Sequence, residues 1–96
     1  MKPRLVESSK QEIKIEFQDE GHSFCNLLRK TLLELSGVEF AGYNIEHPLL
    51  SSPVVTLRTK RRQPAVVLRE GLETVLARTE EFRKKFAQAL SDHSVD

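Results

Sequence analysis

The residues that could perform chemistry in this chain are few and widely separated. His22, His47 and His93 are its three histidines, and no cysteine stands beside them at the spacing of metal ligands. Cys25 has apolar neighbours, a setting in which a packed thiol is more common than a nucleophile. No serine belongs to a nucleophile motif, and the sequence has no Walker loop and no G-x-G-x-x-G loop. We therefore expect no active site, no metal and no cofactor in this chain.

A short run of cations is the one candidate for contact with nucleic acid. Its members are Arg58, Lys60, Arg61 and Arg62. Four cations in five positions could neutralise a short stretch of phosphate backbone. However, no aromatic side chain is interleaved with them, so a stacking surface for single strands is missing. A solvated basic loop explains the run more simply, and a homodimeric nucleic-acid-binding module stays open as an alternative function.

The composition indicates one small domain. The chain has 96 residues, 39% of them hydrophobic, and a formal net charge of +1. Its single cysteine excludes an internal disulfide and fits a reducing compartment. No apolar run approaches the ~20 residues that span a bilayer, so we expect no membrane contact. We expect a cytoplasmic protein whose single domain occupies residues 1–90, followed by a flexible tail at 91–96.

The best-marked element is a helix predicted over residues 23–35. One apolar stripe recurs at steps of three and four residues and comprises Phe24, Leu27, Leu28, Thr31, Leu32 and Leu35. Asp19, Glu20 and Ser23 could cap or stabilise its first turn. Gly37 suits a left-handed cap at its other end. A helix this apolar is expected either inside a core or against a partner.

Four segments alternate between apolar and polar side chains, as half-buried strands do. They cover residues 4–6, 12–17, 38–47 and 53–59. In the third segment the alternation changes phase across Ala41 and Gly42, which predicts a β-bulge at that point. Pro48 ends this strand, because proline cannot donate a hydrogen bond to the sheet.

A second, longer helix is predicted over residues 64–90, with Pro64 in its first turn. A sheet of short strands is only about 20 Å tall, so the end of this helix must overhang it. Phe82, Phe86 and Leu90 would then form an exposed apolar patch, and such patches mark interfaces. The element order predicts an α+β fold, a β-β-α-β-β-α sandwich whose mainly antiparallel four-stranded sheet has both helices on one face.

Three segments of the chain together carry a family signature. They are residues 20–29 (EGHSFCNLLR), 38–43 (VEFAGY) and 47–49 (HPL). Their motif residues are His22, Asn26, Arg29, Gly42, Tyr43, His47 and Pro48. In these segments, and over nearly its whole length, the chain resembles the archaeal RNA polymerase subunit L family, which is similar to the N-terminal domain of the bacterial alpha subunit. Gly21, Phe24 and Cys25 depart from the eukaryotic relatives, which favours an archaeal member.

The resemblance implies a role in transcription and an alpha-like dimerisation fold. Family members are non-catalytic components of DNA-directed RNA polymerase, a nucleotidyltransferase complex. Each forms a heterodimer, through its two helices, with a larger alpha-like partner that is named D in archaea, and the pair is a platform for the catalytic subunits. They hold neither the catalytic magnesium nor the template DNA. The expected interface comprises Phe24, Leu27, Leu28, Thr31, Leu32, Leu35, Phe82, Phe86 and Leu90.

A small ferredoxin-like hydrolase of the acylphosphatase type is a rival of similar size. It would need a glycine-rich loop with an arginine before its first helix. Asp19 and Glu20 place acidic side chains there instead, with Gly21 as the one glycine. The hydrolase is therefore disfavoured.

Overall fold

The computed structural model describes residues 2–44 and 52–93 of the chain. The elements follow in the order β1 (Lys2–Ser8), β2 (Glu12–Gln18), α1 (His22–Leu33), β3 (Val38–Asn44), β4 (Val54–Thr59) and α2 (Pro64–His93). The strands form one antiparallel sheet in the order β1-β2-β4-β3. The β-β-α-β-β-α order and the four-stranded antiparallel sheet with two helices are thus confirmed.

The core lies between one face of the sheet and the two helices. Every second side chain of β2 is buried, because successive residues of a strand point to opposite faces. The core side chains are Ile13, Ile15 and Phe17 of β2, Ala41 of β3, Val55 and Leu57 of β4, Cys25, Leu28 and Leu32 of α1, and Val67, Leu68 and Val75 of α2. β1 lies outside this arrangement, since its side chains at 3–8 are all exposed.

The predicted bulge in β3 exists, but at another position. The pairing register with β4 shifts between Val38 and Phe40, so Glu39 is the extra residue. Phe40 then lies on the outer face of the sheet, where a Cβ on Gly42 would come within 2.9 Å of Phe40 Cζ. The prediction at Ala41 and Gly42 was wrong because it placed Val38 and Phe40 on one face of the strand.

α1 is shorter than predicted, and its ends differ from the expectation. Gly21 takes the N-cap position, rather than one of the polar side chains nearby. The helix ends at Leu33, after which the Leu35 N–H donates to the Leu32 carbonyl at 3.1 Å and tightens the final turn. Gly37 does have a left-handed φ of +80°, but it lies in the turn before β3 and not at the end of the helix.

α2 runs without a break through Pro64–His93, so residues 91–93 continue the helix instead of forming a tail. The rest of the predicted tail, 94–96, lies outside the described residues. The 30 residues of α2 make a helix about 45 Å long. A strand of seven residues spans only about 24 Å. The helix therefore outruns the sheet, and the side chains at 76–92 are all exposed.

Close packing between α1 and α2 depends on Gly71. A Cβ at this position would lie 2.5 Å from Leu32 Cδ2 and 3.6 Å from Leu28 Cδ1. Because both leucines are fully buried, they have little room to move aside. Glycine costs about 1 kcal/mol of helix propensity relative to alanine, and the close approach of the two helices offsets that cost.

Candidate subunit interface

The distal half of α2, residues 76–93, exposes a row of large apolar side chains. The exposed fractions are 61% for Leu76, 69% for Phe82, 57% for Phe86 and 56% for Leu90. The rings of Phe82 and Phe86 stack with their centroids 6.1 Å apart and their planes 14° apart. We call these four residues the distal stripe. Leu76 was not among the interface residues expected from the sequence, although its position four residues after Leu72 continues the apolar spacing of the helix.

α1 contributes Leu27 to the same surface. The Leu27 side chain is 39% exposed, and it lines a shallow hollow together with Arg78, Thr79 and Phe82. The hollow has a volume of about 300 Å³ and lies between the two helices. Leu27 and the distal stripe therefore form one apolar surface, of the kind that partner chains cover.

Five other residues of the expected interface pack within this chain. Leu28, Thr31 and Leu32 have no exposed surface, so they cannot touch a partner while the fold is intact. Phe24 and Leu35 pack against the same core but keep part of their surface in solvent. The candidate interface therefore contains fewer residues than the interface expected from the sequence. Helical spacing indicates that an apolar stripe is covered, but it does not indicate whether the same chain or a partner covers it.

Four motif residues make hydrogen bonds within the chain. His22 Nδ1 and Tyr43 Oη are hydrogen-bonded at 3.1 Å, and their rings meet edge to face with centroids 5.5 Å apart. This contact joins the first turn of α1 to β3. Arg29 Nη2 donates to Asn26 Oδ1 at 2.7 Å, one turn apart on α1. The His22–Tyr43 contact thus orients α1 on the sheet, whereas the Asn26–Arg29 bond lies within the helix.

The other motif residues are Gly42, His47 and Pro48. Gly42 leaves space for the Phe40 ring on the outer face of the sheet. His47 and Pro48 lie outside the residues that the structure describes, so the predicted loop after β3 stays a prediction.

An ion pair anchors α2 where it leaves the core. Arg78 Nη2 donates to Glu34 Oε2 at 2.7 Å, which links the start of the distal half to the C-cap of α1. The hydrogen bond from Arg78, together with its charge, holds the pKa of Glu34 below its ordinary value. The same contacts raise the pKa of the Arg78 guanidinium. The ion pair therefore connects the first part of the distal half of α2 to α1.

The basic run does not form a continuous cationic surface. Arg58 Nη2 donates to Glu12 Oε2 at 2.7 Å on the outer face of the sheet. Arg62 Nη2 donates to Glu70 Oε1 at 2.5 Å, and Arg62 Nη1 donates to the Ser36 carbonyl at 3.1 Å. Two of the four cations are thus neutralised within the chain, which weakens the case for a phosphate-binding strip.

The thiol of Cys25 is packed inside the fold. Cys25 is fully buried, and burial, with a smaller effect from the Glu20 charge, raises the pKa of its thiol from 9.0 to about 11. A protonated thiol is a poor nucleophile. Within residues 2–44 and 52–93, no three His, Cys, Asp or Glu side chains are grouped so that they could hold a metal ion. Neither described helix combines the length and the apolar content needed to cross a membrane.

Comparison with known proteins places the chain among polymerase subunits. Residues 12–85 match the profile of the RNA polymerase Rpb3/Rpb11 dimerisation domain. DNA-directed RNA polymerase subunit Rpo11 of Methanothrix thermoacetophila is 31% identical over 90 residues, which cover 94% of this chain and 99% of that protein. The Rpo11 subunit of Methanocaldococcus jannaschii is 36% identical over 85 residues, which cover 79% of this chain and 86% of that protein.

A solved structure supports the same fold. The crystal structure of DNA-directed RNA polymerase subunit L from Thermoplasma acidophilum matches with a TM-score of 0.80 and 20% sequence identity. The match covers 99% of this chain and 94% of that one. The two chains therefore share their architecture over almost their full lengths.

Proposed function

Because the chain belongs to the RNA polymerase Rpb3/Rpb11 dimerisation domain family, we propose that it forms a heterodimer with the larger alpha-like partner, the one named D in archaea, through α1 and the distal half of α2. It acts as an assembly subunit of DNA-directed RNA polymerase, and the pair forms the platform on which the catalytic subunits assemble. The polymerase as a whole is the nucleotidyltransferase, and this chain supplies scaffold in the cytoplasm. Its remaining partners are other subunits of the same enzyme.

The exposure of the distal stripe is the observation that carries this proposal. Phe82, Phe86 and Leu90 keep more than half of their surface in water, although they lie on a helix that is continuous with the core. Fully burying one large apolar side chain is worth about 1.5–3 kcal/mol. Covering the rest of these three side chains would therefore supply several kcal/mol toward association.

The hollow beside Leu27 gives the larger alpha-like partner a specific place to insert. An apolar side chain of that partner would enter the hollow and contact its lining residues Leu27, Thr79 and Phe82. Interfaces draw most of their binding energy from such central, desolvated anchors. Arg78 also lines the hollow, and because it is paired with Glu34 it brings no unpaired charge there.

The double variant Phe82→Ala/Phe86→Ala tests the proposal. Removing two large anchors should weaken pairing with the larger alpha-like partner by about a thousandfold or more, since truncating a buried phenylalanine commonly costs about 3–5 kcal/mol. The measurement is a co-expression pull-down in which that partner carries the tag, alongside circular dichroism of the purified variant. Phe40→Ala is the matched control, because Phe40 is 49% exposed on the opposite face of the sheet.

Pairing should be normal in the control and lost in the double variant, with the helical signal unchanged in both. Normal pairing of the double variant would remove the distal stripe from the interface. Loss of secondary structure in the double variant would show that the two phenylalanines serve the chain's own fold.

The alternative nucleic-acid-binding module has no comparable support. Arg58 and Arg62 are engaged by carboxylates of the chain, and only Lys60 and Arg61 of the basic run stay outside the described ion pairs. A salt titration of duplex DNA binding by the isolated chain tests this alternative. A steep loss of affinity with added salt would revive it, because several phosphate contacts would then be present.

A further inference from the structure

An open cleft lies at the end of the molecule from which α2 starts. The β1–β2 turn forms one wall, and the loop before α2 with the first turn of that helix forms the other. Its polar lining residues are Ser8, Ser9, Lys10, Gln11, Arg61, Arg62 and Gln63. The cleft has a volume of about 580 Å³, against about 30 Å³ for one water molecule, so several side chains could enter it together.

The cleft carries positive charge that its own walls do not neutralise. Its lining residues include three cations, two serines and two glutamines, and no carboxylate. Arg62 is compensated by Glu70, which lies outside the cleft. None of the ion pairs in the described part of the chain includes Lys10 or Arg61.

On the outer face of the sheet, three cations form ion pairs with carboxylates of neighbouring strands. Arg4 pairs with Glu16, and Lys14 pairs with Glu7, in each case across β1 and β2. Arg58 pairs with Glu12 in the same way across β2 and β4. Each of these three strand cations thus has a carboxylate across the sheet, whereas Lys10 and Arg61 of the cleft have none among the described ion pairs.

Hydrogen bonds, each with at least one backbone group, hold both walls of the cleft in place. In the β1–β2 turn, the Ser9 N–H donates to the Glu12 carbonyl at 2.8 Å, and the Glu12 N–H donates to Ser9 Oγ at 3.1 Å. In the other wall, Thr59 Oγ1 donates to the Arg62 carbonyl at 2.6 Å. The Thr59 N–H donates to the Gln11 carbonyl at 2.7 Å and joins the two walls. The cations thus project from a preorganised frame.

We propose that this cleft binds an acidic segment of another RNA polymerase subunit, whose carboxylates pair with Lys10 and Arg61 while the serines and glutamines complete their hydrogen bonds. A protein segment fits better than nucleic acid for two reasons. Two free cations neutralise too little of a phosphate backbone to hold it at cellular salt. The lining also contains no aromatic side chain on which a base could stack.

The cleft is a separate surface from the one proposed for heterodimer pairing. Ala65 and Phe82 are 17 positions apart on α2, which is about 25 Å along the helix axis. The cleft proposal rests on membership of the polymerase and not on the assignment of the distal stripe. Loss of the cleft charges should therefore leave pairing with the larger alpha-like partner unchanged.

Zero-length carbodiimide coupling in the purified polymerase tests the proposal directly. This reagent joins an amine to a carboxylate only when the two are in contact, so Lys10 should be joined to an Asp or Glu of another subunit. Mass spectrometry of the joined peptides identifies the residue. Lys10→Arg keeps the charge but removes the amine, and it should abolish this product while leaving assembly intact.

A charge-removal pair supplies the second measurement. Lys10→Gln/Arg61→Gln should weaken retention of the recognised subunit by about tenfold in a salt wash of the immobilised polymerase, since exposed charge pairs contribute modestly. Arg69→Gln/Lys84→Gln is the matched control, because both cations are exposed on α2 and outside the described ion pairs. The control should behave like the unaltered polymerase.

Three outcomes would overturn the proposal. The first is coupling of Lys10 only to carboxylates of its own chain. The second is equal loss of the subunit in the charge-removal pair and in its control. The third is weaker binding of duplex DNA by the polymerase that carries the cleft variant, with subunit retention unchanged, which would assign the cleft to nucleic acid.

Discussion

The two halves of α2 have the same apolar spacing and opposite surroundings. In the proximal half, residues 64–75, Val67, Leu68 and Val75 are at most 8% exposed against α1 and the sheet. In the distal half, Phe82 and Phe86 continue the same helical face at 69% and 57% exposure. The repeat therefore identifies the face of a helix that needs a cover. Whether the chain itself or a partner provides that cover depends on where the sheet ends.

A leucine in each half makes this comparison testable by one chemical change. Leu68→Ala should lower the free energy of unfolding by about 2–5 kcal/mol, because it removes buried carbon and leaves a cavity. Leu90→Ala should change it by less than about 0.5 kcal/mol, since Leu90 is 56% exposed in the single chain. Urea unfolding of both variants, followed by circular dichroism, measures the difference. Equal losses would show that the distal half belongs to the chain's own core.

The reactivity of the buried Cys25 thiol on α1 reports on the stability of the core that the proximal half of α2 covers. Raising its pKa from 9.0 to about 11 lowers the thiolate fraction near neutral pH by about a hundredfold, and alkylation by iodoacetamide should slow at least as much. Because the thiol pKa is higher in the folded chain than in the unfolded chain, ionisation of Cys25 costs no stability below pH 9.0. The free energy of unfolding should fall as the pH rises from 9.0 toward about 11. Leu68→Ala should speed the labelling, and Leu90→Ala should not. Fast labelling of the unaltered native chain would contradict the burial of this thiol.

Gly71 allows a steric comparison between the proximal and distal halves of α2. Gly71→Val should destabilise the chain by about 1–3 kcal/mol, because the new side chain would collide with buried Leu32. Ala87→Val places a valine side chain at an exposed distal position and should cost no more than the propensity difference, below about 0.7 kcal/mol. Thermal unfolding of the two variants compares them. A Gly71→Val chain as stable as the Ala87→Val chain would mean that the helices can separate without loss.

The Glu34–Arg78 pair at the junction should have the smallest effect. The folded pKa of Glu34 is lowered, so the stabilisation is present above its ordinary pKa of 4.5 and is lost as the pH falls through the folded pKa. Arg78→Gln should therefore reduce stability slightly at neutral pH and not at all in strong acid. Both groups are exposed, so added salt should shrink the difference. A difference that persists in acid would point to packing of the Arg78 stem instead.

The sequence was most informative where one face of an element has a single environment. β2 and β4 were predicted within one residue because their alternating side chains face either the core or solvent throughout. β3 was harder because Phe40 is apolar and yet lies on the outer face above Gly42. That arrangement depends on a missing side chain two residues away, and alternation alone cannot reveal it.

The candidate interface was only partly readable for a related reason. Phe82, Phe86 and Leu90 were expected to overhang because helix length and strand length follow from residue counts. Leu28 and Leu32 are equally apolar, but Gly71 brings α2 onto them and encloses them within the chain. The carboxylates that pair with Arg58 and Arg62, Glu12 and Glu70, were likewise not identified from the sequence, because their positions depend on strand register and on how α2 packs beside the sheet.

β1 is held to the sheet along one side, and this has a consequence for how the molecule opens. Its register with β2 shifts between Leu5 and Glu7, and its side chains at 3–8 are exposed. β4, in contrast, lies between β2 and β3 and beneath the helices. Amide hydrogens of β1 should therefore exchange with deuterium quickly, through a local opening of low free energy. Those of β4 should exchange slowly, because their exchange requires unfolding of the whole domain.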